Sequence, residues 1–174
     1  GRPEQAMQRF DSALELASQI DDAYSVNFVH GLIGSLLFVE LGERQRLQRT
    51  IEYAQRCADD QGFMGWTYFA LSVHAWVSFC DSPSQLSLDR LLRQNEAMFE
   101  QRFEILVPYF KSLEARAQLS LGHHDDALLS LDNALQSSKA RAERWWDAEL
   151  SRLRGEVLLK HSPTNTVESR ACFE

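Results

Sequence analysis

Four consecutive residues, His123, His124, Asp125 and Asp126, have side chains of metal-ligand types. Imidazole and carboxylate groups are ligands for zinc and similar ions. Adjacent residues in a turn rarely converge on one ion, however, and no third cluster of such residues lies nearby in the sequence. We therefore expect a solvated turn in which an aspartate caps the following helix, with no metal and no cofactor bound.

A cysteine and two histidines could supply nucleophilic catalysis. His74 and Cys80 lie on one predicted helix, and His30 lies on another. A Cys–His pair needs close approach and a third, orienting group. Two residues that are six positions apart on a helix do not face each other. We expect all three side chains to be packed in the core, and we expect the chain not to be an enzyme.

Charge and hydropathy exclude several classes of partner. The chain has 174 residues and a net charge of −7, which disfavours direct binding to nucleic acid because phosphate contacts need a basic face. The longest apolar run, Gly31–Val39, is shorter than the roughly 20 residues of a membrane span. The N-terminus lacks the pattern of a signal peptide, and three cysteines do not pair evenly. These features predict a cytoplasmic protein with no membrane partner.

Turn-like residues recur about every forty residues, at Gly1, Gly42, Asp81 and Gly122. Five, nine and twelve residues after three of these markers, the sequence has an apolar stripe of an α-helix, as in Ala6, Phe10 and Ala13. In the third unit Arg90 and Arg93 take the last two of these positions, so we expect its outer helix to be rotated, shifted or atypical. A period of this length is typical of stacked helical hairpins.

The turn signals divide the chain into alternating outer and inner helices. The predicted outer helices are Pro3–Ile20, Glu43–Asp60, Gln85–Gln101, Asp126–Ala140 and Val167–Glu174. The predicted inner helices are Tyr24–Leu41, Phe63–Cys80, Phe103–Leu121 and Arg144–Lys160, the third of which begins near Val107 or is kinked at Pro108. No segment alternates with period two for long enough to predict a strand. We therefore expect one all-α domain over residues 1–174, a right-handed superhelix of antiparallel hairpins with repeats of about forty residues. Because the predicted helices begin and end within a unit, we expect this domain to be a piece of a longer array.

Several motifs resemble a known class of repeat. Ala6-x3-Phe10-x2-Ala13 resembles the second helix of a tetratricopeptide repeat, and Gly122-His-His-Asp-Asp-Ala127 resembles the turn of that family. Residues 142–159 closely resemble a segment of the MalT-like repeat arrays of large bacterial signalling ATPases, and residues 170–174 are similar to the outer helix that follows it. The spacing near forty exceeds the 34 residues of ordinary tetratricopeptide repeats, and HEAT-like hairpins share it.

In that family the array is joined to an ATPase module and to a LuxR-type DNA-binding domain or an adenylate/guanylate cyclase domain. The resemblance implies a non-catalytic module that binds a protein, a peptide or a small effector in its concave groove, or the flanking domains of the same polypeptide. This chain itself contains no phosphate-binding loop. A free-standing peptide receptor or scaffold and a small all-α enzyme remain alternatives.

The inner helices of such a superhelix line its concave groove. By repeat position, the groove should contain Tyr68, Tyr109, Ser112, Arg116 and Ser151. Trp145 is a further candidate, because Trp146 continues an apolar helical stripe and two adjacent tryptophans cannot face the same way. At the ends of the chain we expect exposed apolar side chains, which predict end-to-end self-association or fraying: Phe10, Leu14, Val167 and Phe173.

Overall fold

The computed structural model describes residues 2–20, 22–61, 64–101, 106–162 and 166–173. These residues form helices and no strand, which confirms the all-α prediction for the described part of the chain. The helices are α1 Pro3–Ile20, α2 Ala23–Leu41, α3 Arg44–Gln61, α4 Met64–Asp81, α5 Gln85–Glu100, α6 Val107–Ser120, α7 His124–Arg141, α8 Asp147–His161 and α9 Thr166–Ala171, with a 3-10 turn at Arg144–Trp146 before α8.

The chain divides into two compact units, Gly1–His74 and Ala75–Glu174, with the boundary inside α4. Each unit is described by itself. The single domain over residues 1–174 and the superhelix stay predictions. Some predicted features lie outside the described residues: the marker Gly1, the helix start at Phe63, residues 103–105 and Glu174.

The outer helices α1, α3, α5 and α7 share one register. Residues 2, 43, 84 and 123 precede these helices, and each accepts a hydrogen bond at its carbonyl from the N–H four positions later, at 2.9–3.1 Å. The repeat therefore advances in steps of 41, 41 and 39 residues. Counted from the residue that precedes each helix, α3, α5 and α7 bury a side chain at the seventh or eighth position and another at the eleventh. These pairs are Ile51 and Ala54 in α3, Leu91 and Asn95 in α5, and Leu131 and Ala134 in α7.

The irregularity predicted in the third unit is a two-residue shift in the loop before α5. Ser84 caps this helix: its Oγ accepts from the N–H of Ser87 at 3.2 Å, and its own N–H donates to Ser87 Oγ at 3.0 Å. Counted from Ser84, α5 buries its fourth and eleventh positions, Leu88 and Asn95, as α3 and α7 bury theirs. Arg90 and Arg93 therefore lie on its exposed side. Asp81 was the wrong marker, and the helix itself is regular.

In the first unit α2 lies against both α1 and α3, and small residues permit the close approach. A Cβ atom on Gly34 would lie 3.1 Å from the ring of Phe10 on α1. One on Gly31 would lie 3.3 Å from the Cβ of Ala54 on α3. The turn Phe28–Ile33 within α2 is π-helical, which the periodicity of the sequence did not predict.

The predicted apolar run Gly31–Val39 lies within the longer apolar helix α2. This helix has 19 residues and a mean hydropathy of 1.3, so by length and composition alone it could cross a bilayer. A core helix of a soluble protein passes the same test, and α2 packs against two neighbouring helices. The finding is weak evidence, and the cytoplasmic location stays a prediction.

Hydrogen bonds fix the helix directions in the second unit. Ser138 on α7 bonds to Asp147 on α8, and Asp132 on α7 accepts from Arg154 on α8, so these helices are antiparallel. In contrast, Ser112 and Arg116 on α6 bond to Trp146 and Glu149 in the same order along the chain. The inner helices α6 and α8 are therefore parallel. A shared apolar core lies between α6, α7 and α8.

The turns differ in part from their predictions. Gly122 has a φ of +81°, which favours glycine. The residue that precedes α7 is His123, which makes no side-chain capping bond, so the predicted aspartate cap was wrong. Asp125 and Asp126 lie instead in the first turn, where carboxylates favour the helix dipole. The third inner helix begins at Val107, as one of the two alternatives predicted.

The apolar residues at the ends of the chain differ in exposure. Phe10 is buried and Leu14 is half-buried, so the prediction of exposure was wrong for both. Val167 and Phe173 are exposed, as predicted. A Cβ on Gly155 of α8 would lie 2.6 Å from the Phe173 ring, so this glycine lets the ring approach the helix. Self-association and fraying stay predictions.

Candidate functional site

Two of the predicted groove residues are buried. Tyr109 is 1% exposed and Ser112 is 0% exposed. Ser112 Oγ donates to the carbonyl of Tyr109 at 2.6 Å and accepts from the indole N–H of Trp146 at 3.0 Å. The Tyr109 ring packs edge-to-face on Trp146, with 5.2 Å between centroids. Both residues hold α6 against α8, so the expectation that they face an open groove was wrong.

Trp145 is the aromatic residue that this contact presents to solvent. Its side chain is 51% exposed, and its ring stacks on Tyr109 with 6.1 Å between centroids. Its indole N–H donates to Glu143 Oε1 at 3.1 Å, and the same oxygen accepts from the backbone N–H of Leu106 at 3.0 Å. Trp146 is half-buried against the core. The prediction that the two tryptophans face different ways is confirmed.

A ladder of ion pairs runs along α8 and begins at Glu149, four residues after Trp145. Glu149 accepts from Arg116 at 3.0 Å and from Arg152 at 2.7 Å. Arg152 also reaches Glu156 at 3.2 Å, and Lys160 reaches Glu156 at 2.9 Å. Residues 145, 149, 152 and 156 are spaced by four, three and four positions, so they share one side of the chain segment that includes α8.

The ladder keeps its carboxylates ionised at neutral pH. The hydrogen bond from Arg152, and after it that from Arg116, lowers the pKa of Glu149 although partial burial opposes this shift. The bond from Lys160 is the main cause that lowers the pKa of Glu156. Neither group is therefore suited to hold a proton for acid catalysis near pH 7. The arrangement fits recognition through charge and shape better than proton transfer.

We call Trp145, Arg116, Glu149 and Arg152 the tryptophan–arginine face. Ser151 is half-buried and adjoins this face in sequence, on α8. Tyr68 is half-buried on α4 and belongs to the other compact unit. Of the six residues predicted for the groove, Arg116 pairs with Glu149 of α8, Tyr109 stacks on Trp145, and Ser112 bonds to Trp146.

A cavity of about 520 Å³ lies between α5 and α6. Among its described lining residues three glutamates outnumber one lysine, which favours a cationic ligand over an anion. Behind it Asn95 is fully buried and donates to Glu114 Oε1 at 2.9 Å, while Lys111 donates to Glu114 Oε2 at 2.8 Å. The lining residues are Leu92, Glu96, Phe99, Glu100, Lys111 and Glu114.

Sequence reasoning missed this cavity, although a signal exists. Asn95 occupies the eleventh position of its outer helix, where α1, α3 and α7 carry alanine. An amide at a buried position needs a polar partner. Once the register is counted from Ser84, the sequence thus indicates a polar group opposite α5, and Glu114 is that group.

Glu114→Ala is expected to lower the free energy of unfolding by about 1–3 kcal/mol, because it leaves the buried amide of Asn95 without its acceptor. Urea melts of the single variants and of the double variant with Asn95→Ala measure the coupling. The double variant should be more stable than the sum of the single effects predicts, by about 0.5–3 kcal/mol. Strictly additive losses would contradict a direct Asn95–Glu114 interaction.

The histidines and aspartates of metal-ligand type near the start of α7 form separate pairs. His123 Nδ1 lies 3.6 Å from Asp126 Oδ2. His124 packs edge-to-face on His161, a residue that was not among the predicted candidates. Among the described residues no group of three or more histidine, cysteine, aspartate or glutamate side chains could hold a metal ion. Asp125 lies 3.8 Å from His161.

The three residues considered for nucleophilic catalysis lie in different environments. His30 is half-buried and stacks on Tyr53, with 4.5 Å between centroids, and burial lowers its pKa. His74 and Cys80 are exposed, so the expectation that they pack in the core was wrong.

Comparison with known proteins finds no family model, no curated protein and no solved structure that matches this chain.

Proposed function

We propose that this chain is a non-catalytic helical-repeat module that binds a protein or peptide partner through the tryptophan–arginine face. The observation that carries the proposal is the common register of α1, α3, α5 and α7, in steps of 41, 41 and 39 residues. Tandem hairpins of this kind extend into arrays whose inner helices form long binding surfaces. The proposal includes a right-handed superhelix that resembles tetratricopeptide arrays.

The composition of the tryptophan–arginine face supports binding to a protein. Tryptophan and arginine are enriched among the residues that contribute most to the free energy of binding. Trp145 is held by a ring stack and by a hydrogen bond, so little side-chain entropy remains to be lost when a partner binds. Arg152 is half-exposed and is oriented by Glu149 and Glu156. Its guanidinium could extend these contacts to a carboxylate of a partner.

The proposed context is a cytoplasmic multidomain bacterial regulator. The segment that resembles the repeat arrays of signalling ATPases, residues 142–159, contributes Trp145, Glu149 and Arg152 to the face. A partner that binds this face in one conformation of the attached domains would shift their equilibrium by its difference in affinity for the two conformations. The attached ATPase or output module of the same polypeptide is one such partner, and a small effector is another.

Trp145→Ala and Arg152→Glu should each weaken peptide binding at least tenfold, because each removes one of the groups placed at the centre of the face. The probe is a library of random dodecapeptides displayed on phage and selected on the wild-type chain. Calorimetry of selected peptides with each variant provides the measurement. Arg90→Glu is the matched control, because Arg90 is an exposed arginine on the outer helix α5.

Peptides that bind the wild-type chain and the two face variants equally would contradict the role of this face. A library that yields no saturable ligand would contradict peptide binding. Hydrolysis or cyclisation of ATP by the purified chain would contradict a non-catalytic module.

A further inference from the structure

The cavity between α5 and α6 holds one buried carboxylate and two exposed ones. Glu114 on α6 is 2% exposed, and its oxygens accept hydrogen bonds from Asn95 and Lys111. Glu96 and Glu100 lie four positions apart on α5, so they share one side of that helix. Both are exposed, and neither forms an ion pair within the described part of the chain. The described lining therefore leaves two carboxylates without a counter-charge.

Lys111 shows how this cavity accommodates an ammonium group. Its Nζ lies 2.8 Å from Glu114 Oε2 and 5.5 Å from the centroid of the Phe99 ring. A carboxylate and the face of an aromatic ring both attract a cation. Leu92 and Phe99 are half-buried in the lining, and they offer apolar surface on which an aliphatic chain can lie. The lining thus combines the groups that bind an alkylammonium ion.

The polar group behind the lining has more acceptors than donors. Asn95 is 0% exposed, and its Nδ2 donates to Glu114 at 2.9 Å. Its Oδ1 is buried and accepts no hydrogen bond from the described residues. The carboxylate of Glu114 can accept more bonds than the two that Asn95 and Lys111 donate. A ligand that brings donors and positive charge compensates both deficits, whereas an anion increases them.

The shape and composition of the cavity favour an organic cation over a metal ion. Its volume of about 520 Å³ falls within the range of about 300–1,000 Å³ that is typical of small-molecule sites. Among the described residues, no group of three or more carboxylate, imidazole or thiol side chains is placed to hold a metal ion. The apolar surface of the lining would contribute nothing to binding a bare ion. Both walls of the cavity belong to the second compact unit.

We propose that this cavity binds an alkyl diammonium ligand, an aliphatic chain with two protonated amino groups. Its ammonium groups pair with Glu96 and Glu100, and its chain lies on Leu92 and Phe99. A free polyamine and a pair of lysine side chains of a partner share this chemistry. The residues of the site differ from those of the tryptophan–arginine face, so the inference does not depend on the proposed function.

Calorimetric titration of the full chain with cadaverine tests the proposal. We expect saturable binding, and no binding of the uncharged diol of the same chain length. The double variant Glu96→Gln, Glu100→Gln should bind cadaverine at least tenfold more weakly. Glu4→Gln, Glu15→Gln is the matched control, because it removes the same charge from two exposed glutamates of α1. Phe99→Leu, which keeps an apolar side chain but removes the aromatic face, should weaken binding about two- to fivefold.

Three outcomes would overturn the proposal: cadaverine does not saturate the wild-type chain, the diol binds equally well, or the double variant and its control lose the same affinity. Blocked dilysine distinguishes the two sources of the ligand. Tighter binding than that of cadaverine would assign the site to lysine side chains of a partner, and weaker binding would assign it to a free polyamine.

Because Glu96 and Glu100 are exposed, circular dichroism should show an unchanged fold in the double variant. The phage-selected peptides should bind this variant as they bind the wild-type chain. Failure of the diammonium site is therefore distinguishable from failure of the proposed function.

Discussion

Phe10→Ala is expected to lower the free energy of unfolding by about 3–5 kcal/mol. Phe10 is 6% exposed, and its ring packs edge-to-face on Phe38 with 5.1 Å between centroids. The ring also lies against Gly34, which has no side chain that could move into the space left behind. The substitution therefore removes apolar contacts and leaves a cavity, and both terms destabilise the folded state. Urea-induced unfolding followed by circular dichroism measures the loss.

Leu16→Ala on the same helix is the matched control, because its side chain is mostly exposed. Its effect should stay within about 0.5 kcal/mol, as for most surface substitutions. Hydrogen exchange should show the loss of protection from Phe10→Ala in the amides of α1, α2 and α3. An unchanged unfolding midpoint for Phe10→Ala would mean that the register of α1 is wrong.

Leu131→Ala is expected to cost about 2–5 kcal/mol in the second unit. Leu131 occupies the same repeat position as Phe10 and is fully buried. It packs in the core that α6, α7 and α8 share, where Ala127, Ala134 and Leu150 are its neighbours in the cluster. Small residues on two sides cannot extend into the vacated volume. Thermal and urea melts of the purified variant test this expectation.

Leu129→Ala provides the control for this position, two residues away on the exposed side of α7. We expect little change in its unfolding free energy. Equal losses for the two leucines would show that α7 is rotated from the orientation described here. A neutral Leu131→Ala would contradict the repeat register as a whole.

The proposed tryptophan–arginine face combines one exposed ring with charges already paired within the chain, so a partner must compete with or extend the ladder of Arg116, Glu149 and Arg152.

Local sequence patterns determined the helices and most of their ends. The predicted range Pro3–Ile20 is the observed range of α1, because an amphipathic stripe and the turn residues that bound it act within one segment. Gly42 and Gly122 end their helices with positive φ, which a residue without Cβ adopts at little cost. Ser84 caps α5 through bonds to its own neighbours. Each of these features depends on interactions between residues close in sequence.

Only the tertiary structure decided which sides of the inner helices face solvent. An inner helix such as α4 is apolar on nearly all sides, so its sequence does not indicate which residues meet solvent, and His74 and Cys80 prove to be exposed. Tyr109 and Ser112 were expected in an open groove, but Trp146, thirty-four residues beyond Ser112, covers them.

The candidate sites likewise require contacts between distant parts of the chain. Arg116 meets Glu149, and Asn95 meets Glu114, because parallel or antiparallel packing brings successive helices side by side. The sequence by itself determined the all-helical architecture and its period near forty residues through local periodicity, while packing between helices decided which side chains form a surface.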